Sequence, residues 1–323
     1  MIVLRSVAAT LLVALSSPLA QAQDFPARLV RIVVPYPAGG GVDGLARPLA
    51  DRLSKKWQQT VIVENKPGAS TMIGGEFVAR APADGYTLLF TSDSSITSNP
   101  FLFKSASLDP IKDLAPVTQL IDLHQMVVVH PSVPAGTMKE LVALAKEKPN
   151  TLNYGSYGNG SQPHLLFEML RAETGAQIMQ IPYRGIAPAI TATIAGDVQM
   201  TLGGAATTGA HADAGRLKAL AISRKERLPA YPQVPTLREA GFPDIDPQSW
   251  FGLFAPRGTP DALVEKIQQD VASVFADSDF RGQFIDRAGF TGVAASPAQF
   301  REFIMRDLEY KKRLIGMAGI KAE

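Results

Sequence analysis

Hydrophobic positions along the chain follow two alternating spacings. Leu29-Val-Arg-Ile-Val-Val34 is a β-branched run closed by Pro35, and it predicts a buried strand. From Leu45 the period lengthens: Leu45, Leu49 and Leu53 recur every fourth residue with Ala46 and Ala50 beside them, so an amphipathic helix is expected. Between the two lies Tyr36-Pro-Ala-Gly-Gly-Gly-Val-Asp43, with Asp43 suited to the N-cap. Pro48 removes one early hydrogen bond from that helix. A strand, three glycines and a helix start aim unpaired N–H groups and the positive end of a helix dipole at one point, which suits an anion. A plain strand-to-helix turn has the same sequence, so the motif alone leaves both readings open.

The alternation continues to the end of the chain. Val61–Val63, Thr87–Phe90, Val117–Val129, Leu152–Tyr154, Gln177–Pro182, Val198–Leu202, Leu217–Ser223 and Trp250–Ala255 read as strands. Met72–Arg80, Thr137–Lys148, His164–Glu173, Ala189–Ala195, Pro260–Phe275, Phe280–Ala288 and Pro297–Gly316 read as helices. Thr137 and Glu140 form a capping-box pattern at the second of these. The order predicts α/β architecture with parallel, doubly wound sheets, in which ligands sit beyond the strand C-termini. Segments 36–43 and 91–95 both come after strands and face one crevice. Gly155–Gln162, Tyr183–Pro188 and Gly203–Thr208 repeat the strand-to-small-loop device in the second half. Val117–Val129 and Trp250–Ala255 are suited to carry the chain between two lobes.

Composition narrows the function classes. Arg5, an apolar core from Val7 to Leu15, Pro18 and Ala20-Gln-Ala22 make up a secretory signal peptide, with cleavage expected after Ala22. No cysteine occurs anywhere, which excludes disulfides, thiolate catalysis and lipid attachment at a cysteine. The four histidines, at 124, 130, 164 and 211, show no zinc-site spacing. A formal charge of +2 lacks the field of a nucleic-acid binder. No cofactor or metal is expected.

Val34-Pro-Tyr-Pro-Ala-Gly-Gly with Asp43 and Ala46-Arg47, Glu64-Asn-Lys-Pro-Gly-Ala69, and Asp84-Gly-Tyr86 form an ordered set in the first half. Leu152-Asn-Tyr-Gly-Ser-Tyr-Gly-Asn-Gly-Ser161 with His164-Leu165, Pro182-Tyr-Arg-Gly185, Val234-Pro-Thr236, Glu239-Ala-Gly241 and Trp250 to Pro256 continue it. In this set the chain resembles the Bug-type (TctC-like) solute-binding proteins, the extracytoplasmic receptors of tripartite tricarboxylate transport systems. The resemblance implies a two-lobed periplasmic-binding-protein fold, type II-like, each lobe a doubly wound sheet flanked by helices. It places one lobe at 24–124 plus 248–323 and the other at 125–247, behind a signal peptide at 1–22. It further implies a periplasmic, monomeric receptor that closes over a small organic carboxylate and delivers it to a membrane permease.

Carried over by the same resemblance, one wall of the crevice holds Tyr36, Ala38, Gly39, Gly40, Gly41 and Asp43, with Ser92, Asp93 and Ser94. The other holds Ser156, Tyr157, Asn159, Gly160 and Ser161, then Arg184 and Gly185, then Ala205 and Thr207. Two stretches depart from the family pattern: Ser94-Ser-Ile-Thr-Ser98, and the uncharged Gly203–Thr208, whose lack of an acidic group disfavours amino-acid ligands.

Individual residues keep two readings. Arg184 suits a bidentate carboxylate pair or a salt bridge within the protein. Ser156 and Ser161 are ligand donors or helix caps. Tyr36 and Trp250 line the crevice or belong to the core. Asp43 is a cap or the partner of Arg47. Asp244 and Asp246 are loop solvators or, less readily, calcium ligands. A ligand-presenting partner of a sensor protein, and a cell-envelope enzyme acting on a small carboxylate, are the alternative functions. The loops offer the enzyme no nucleophile–base pair.

Overall fold

A computed structural model describes residues 25–104, 108–245, 249–320 and 322. The expected signal peptide lies outside these residues, as does Asp246.

The strands are β1 (Val30–Val34), β2 (Val61–Asn65), β3 (Thr87–Ser92), β4 (Leu114–Leu123), β5 (Gln125–Val129), β6 (Leu152–Ser156), β7 (Ile178–Pro182), β8 (Met200–Gly204), β9 (Lys218–Ser223), β10 (Ser249–Pro256) and β11 (Phe290–Gly292). They build two sheets, ordered β11-β4-β10-β3-β1-β2 and β7-β6-β8-β5-β9. Helices flank both, giving a two-lobed α/β fold. His124 alone separates β4 in the first sheet from β5 in the second, and β10 returns the chain to the first.

The sheets are mixed rather than purely parallel. β1, β2 and β3 run parallel, whereas β10 is antiparallel to both β3 and β4. In the second sheet β5 is antiparallel to β8 and β9. The reason is the crossing itself: a strand entering a lobe from the crevice must run against strands whose C-termini point toward it. Gln125 accordingly pairs with Gly204 and Ser223, the last residues of β8 and β9.

Several boundaries move by pairing. Glu64 and Asn65 continue β2 instead of turning, because they face Val33 and Val34. Thr91 and Ser92 belong to β3, opposite Gly252 and Phe251, and a helical segment Ser94–Ser98 begins almost at once. The expected loop at Gly203–Thr208 is the end of β8 and the start of a helix, Ala205–Asp213.

Each lobe has its own core. Ile32, Leu49, Leu88, Phe90, Leu253 and Ile267 belong to the first, and Val127, Leu141, Tyr154, Phe167, Leu170 and Leu202 to the second. The final helix, Pro297–Met317, serves both. Phe300 and Ile304 pack with Val33, Leu89 and Trp250 of the first lobe, while Leu314 packs with Leu141 and Leu166 of the second.

Candidate functional site

The pairing registers set the C-termini of β1, β3, β6, β7 and β8 at the end of each sheet where the chain crosses to the other lobe. Helix Gly41–Trp57 begins with Gly40 at its N-cap, so Asp43 is not the cap but the third helical residue. There its carboxylate reaches back and accepts from Gly39 N–H at 2.8 Å. Arg47 Nε and Asn65 Nδ2 donate to the same carboxylate at 2.9 and 3.0 Å. Burial by itself would raise the pKa of Asp43. The Arg47 guanidinium, the Gly39 N–H and the Asn65 amide outweigh it and hold the group below the usual carboxylate range.

The second lobe repeats the device with different chemistry. Helix Gln162–Thr174 has Ser161 at its N-cap, and its third residue, His164, accepts from Gly160 N–H through Nδ1 at 3.0 Å. Gly39 and Gly160 both have left-handed backbones, at φ +83° and +73°. In each lobe a left-handed glycine therefore precedes the N-cap and is pinned by the side chain four residues on. Neither helix has a side-chain cap at its N-cap residue. The first-turn N–H groups of a helix have no carbonyl partner within it; in the second helix Gln162 N–H is donated to Tyr157 OH, and Pro163 has none. Ser161 Oγ instead donates to Gly158 carbonyl at 2.6 Å.

Hydroxyl groups cluster at the ends of β3 and β6. Tyr36 OH lies 2.7 Å from Ser92 Oγ and 3.2 Å from Ser95 Oγ, and Ser95 Oγ lies 2.6 Å from Thr91 Oγ1. Tyr157 OH accepts from Gln162 N–H at 3.3 Å. Burial pushes both phenols well above the ordinary tyrosine value, so both stay neutral hydrogen-bonding groups. Ser156 Oγ accepts from Gln180 Nε2 at 2.8 Å and from Gly158 N–H at 3.2 Å. The Ser94 hydroxyl is buried without a hydrogen-bond partner, which leaves it available to a bound group.

The remaining residues divide between surface and interior. Ala38, Gly39, Gly41, Asn159, Arg184 and Thr207 are exposed, and Gly185 is the N-cap of helix Ile186–Ala195. Ala205 is buried and begins the helix after β8. Trp250 is a core residue, fully buried, with its indole N–H donated to Asp307 at 2.8 Å. Asp93 is fully buried, and the bonds it makes are internal: Ser249 Oγ at 2.8 Å, Lys311 Nζ at 3.0 Å, and the Gln162 side-chain amide. Sequence reading overlooked Gln162 and Lys311. Gln162 adjoins the Gly155–Ser161 motif, but Lys311 is one charged residue among several in its helix, and nothing local marks it.

Two α/β lobes joined by crossing strands, with a glycine-led helix start in each, define the fold class of the periplasmic binding proteins. The periplasmic binding protein BugD has the same fold, with a TM-score of 0.85 and 29% identity across 93% of this chain and 100% of that one. The chain belongs to the tripartite tricarboxylate transporter family of receptors, TctC, whose pattern it matches over residues 45–320. Two further solved structures carry ligands. Rpa4515 of R. palustris, with adipate, is 30% identical with a TM-score of 0.88, over 93% of this chain and all of that one. MatC from Rhodopseudomonas palustris, with bound malate, is 28% identical with a TM-score of 0.84, over 90% of this chain and all of that one.

Proposed function

We propose that the protein is an exported receptor, cleaved after Ala22, that captures a small organic dicarboxylate between its lobes and delivers it to a membrane permease. In this reading the lobes are 24–124 plus 248–323 and 125–247, and the receptor works as a monomer. The observation that supports it is the matched pair of glycine-led helix starts, Gly39–Gly41 on one lobe and Gly160–Gln162 on the other. The first offers the backbone N–H groups and dipole of its helix start to a carboxylate; in the second, where the N–H groups of Gly160, Ser161 and Gln162 are donated to His164, Gly158 and Tyr157, the helix dipole and the neighbouring hydroxyls serve the other. Hydrogen bonds to a charged group contribute about 1.5–3 kcal/mol each. Tyr36, Ser92, Ser94, Ser156 and Tyr157 then serve the ligand directly or through water, with Arg184 at the rim. Adipate and malate, held by the two relatives above, each have a carboxylate for both walls.

A thermal-shift screen of mono-, di- and tricarboxylates, amino acids and sugars tests this. A dicarboxylate at about 100 times its Kd adds roughly 2.7 kcal/mol of stability and raises Tm. A sugar or amino acid that raises Tm while every carboxylate fails would overturn the reading.

A further inference from the structure

Asp93 and Lys311 form an ion pair in which neither side chain has any exposure, with Lys311 Nζ 3.0 Å from Asp93 Oδ2. The two residues come from different parts of the fold. Asp93 comes directly after β3 in the first lobe, and Lys311 lies toward the C-terminal end of helix Pro297–Met317. Ser249, the first residue of β10 on the chain's return from the second lobe, donates its hydroxyl to the other oxygen of Asp93 at 2.8 Å. Gln162, the first residue of the second lobe's crevice helix, donates its side-chain amide to Oδ2. One buried carboxylate thus joins the first lobe, the returning strand, the last helix and the second lobe.

The surroundings make this junction rigid. One turn before Lys311, Asp307 Oδ2 accepts from Thr97 Oγ1 at 2.6 Å and from Trp250 Nε1 at 2.8 Å. Ile315 packs with Leu102 of the first lobe and Leu165 of the second. Taking two charges out of water costs several kcal/mol per ion, and an apolar pair of similar volume stabilises a core equally well or better. A buried ion pair is therefore weak support for stability, and here its distinguishing property is direction: it fixes where the Gln162 amide must dock. Ser249 lies on the return crossing, which sets Asp93 close to the axis about which the lobes turn. A contact at the axis keeps its length while the crevice opens and closes.

We propose that Asp93 is the pivot that positions the two crevice walls, with Lys311 as its buried counter-charge and Gln162 as its arm into the second lobe. The C-terminal helix is thereby a third connection between the lobes. The ligand part of this inference rests on the receptor reading above; the pivot itself does not.

The native chain has no cysteine, so spin labels can be placed at Lys55→Cys and Lys146→Cys, exposed sites on opposite lobes. Pulsed dipolar spectroscopy of the ligand-free protein should give a narrow distance distribution. Gln162→Met keeps the side-chain volume, removes the donor and leaves the Asp93–Lys311 pair in place. It should at least double the width of that distribution with little change in Tm. Gln162→Lys restores a donor toward Asp93 Oδ2, and it should narrow the distribution again. With malate as probe, Gln162→Met should bind at least fivefold more weakly than the native protein. An unchanged width in Gln162→Met, or no narrowing in Gln162→Lys, would show that Asp93 is only a core residue. A labelled native protein that shows the pivot but binds no dicarboxylate would instead refute the receptor reading alone.

Discussion

Gly160 of the second lobe lies so close to Leu102 of the first that a Cβ placed on it would overlap Leu102 Cδ1. Its φ of +73° also lies where side chains are strained. Gly160→Ala is therefore expected to destabilise the protein by about 1–3 kcal/mol and to wedge the lobes apart. Urea denaturation measures the first effect and scattering of the free protein the second. Adding Leu102→Ala should recover part of the crevice geometry, since the obstruction is a side-chain tip.

Gly40→Val is expected to act on the ligand and not on the fold. Gly40 has an ordinary φ of −79°, and the nearest atom to an added Cβ is Pro37 O at 3.7 Å, a normal contact. The valine would fill the space in front of the first helix start. Dicarboxylate affinity should fall at least tenfold, or about 1.4 kcal/mol, by calorimetry. Arg184→Ala, at an exposed rim position, should lose less. The reverse order would move the anion site to the second lobe's cation.

Asp43→Ala removes the acceptor shared by Gly39 N–H, Arg47 and Asn65. The expected loss is about 1 kcal/mol of stability, because Gly39 and Arg47 are exposed and turn to water while Asn65 keeps the Tyr36 carbonyl. Because the same carboxylate holds Gly39 in place, ligand binding should weaken as well. Chemical denaturation and calorimetry of this variant should move together; binding that survives intact would separate the cradle from its brace.

His124 predicts an acid-sensitive crossing. Burial, with Arg224 nearby, lowers its pKa from 6.5 to about 4 in the folded protein, where its Nε2 lies 2.9 Å from Thr291 Oγ1. Below pH 6.5 the unfolded chain takes up a proton that the native state refuses, so stability falls as pH drops toward about 4. At about 1.4 kcal/mol per pH unit, reduced by solvent screening, the loss is about 1–3 kcal/mol. His124→Gln should flatten this part of the Tm–pH profile; parallel profiles for the two proteins would contradict it.

Local chemistry wrote much of this structure into the sequence. The strands of both lobes, the long helices and the glycine-led helix starts arise from side-chain period and from the backbone freedom of glycine, which neighbouring residues decide among themselves. The Thr137 cap is legible for the same reason: Thr137 Oγ1 accepts from Glu140 N–H at 3.2 Å, three residues away. What sequence could not determine depends on groups brought together from far along the chain. Ser92 becomes strand because Phe251 pairs with it, and the sheets are mixed because the crossings impose a direction. Asp43, read as an N-cap or as the partner of Arg47, is the partner of Arg47, and Asn65 on the next strand, which the sequence did not mark, joins the pair. Asp93, read as a ligand residue from its loop, turns inward because Lys311 from the last helix is buried against it. A charge has no periodicity that reveals its partner; only packing, by excluding water from both groups, decides that they must meet.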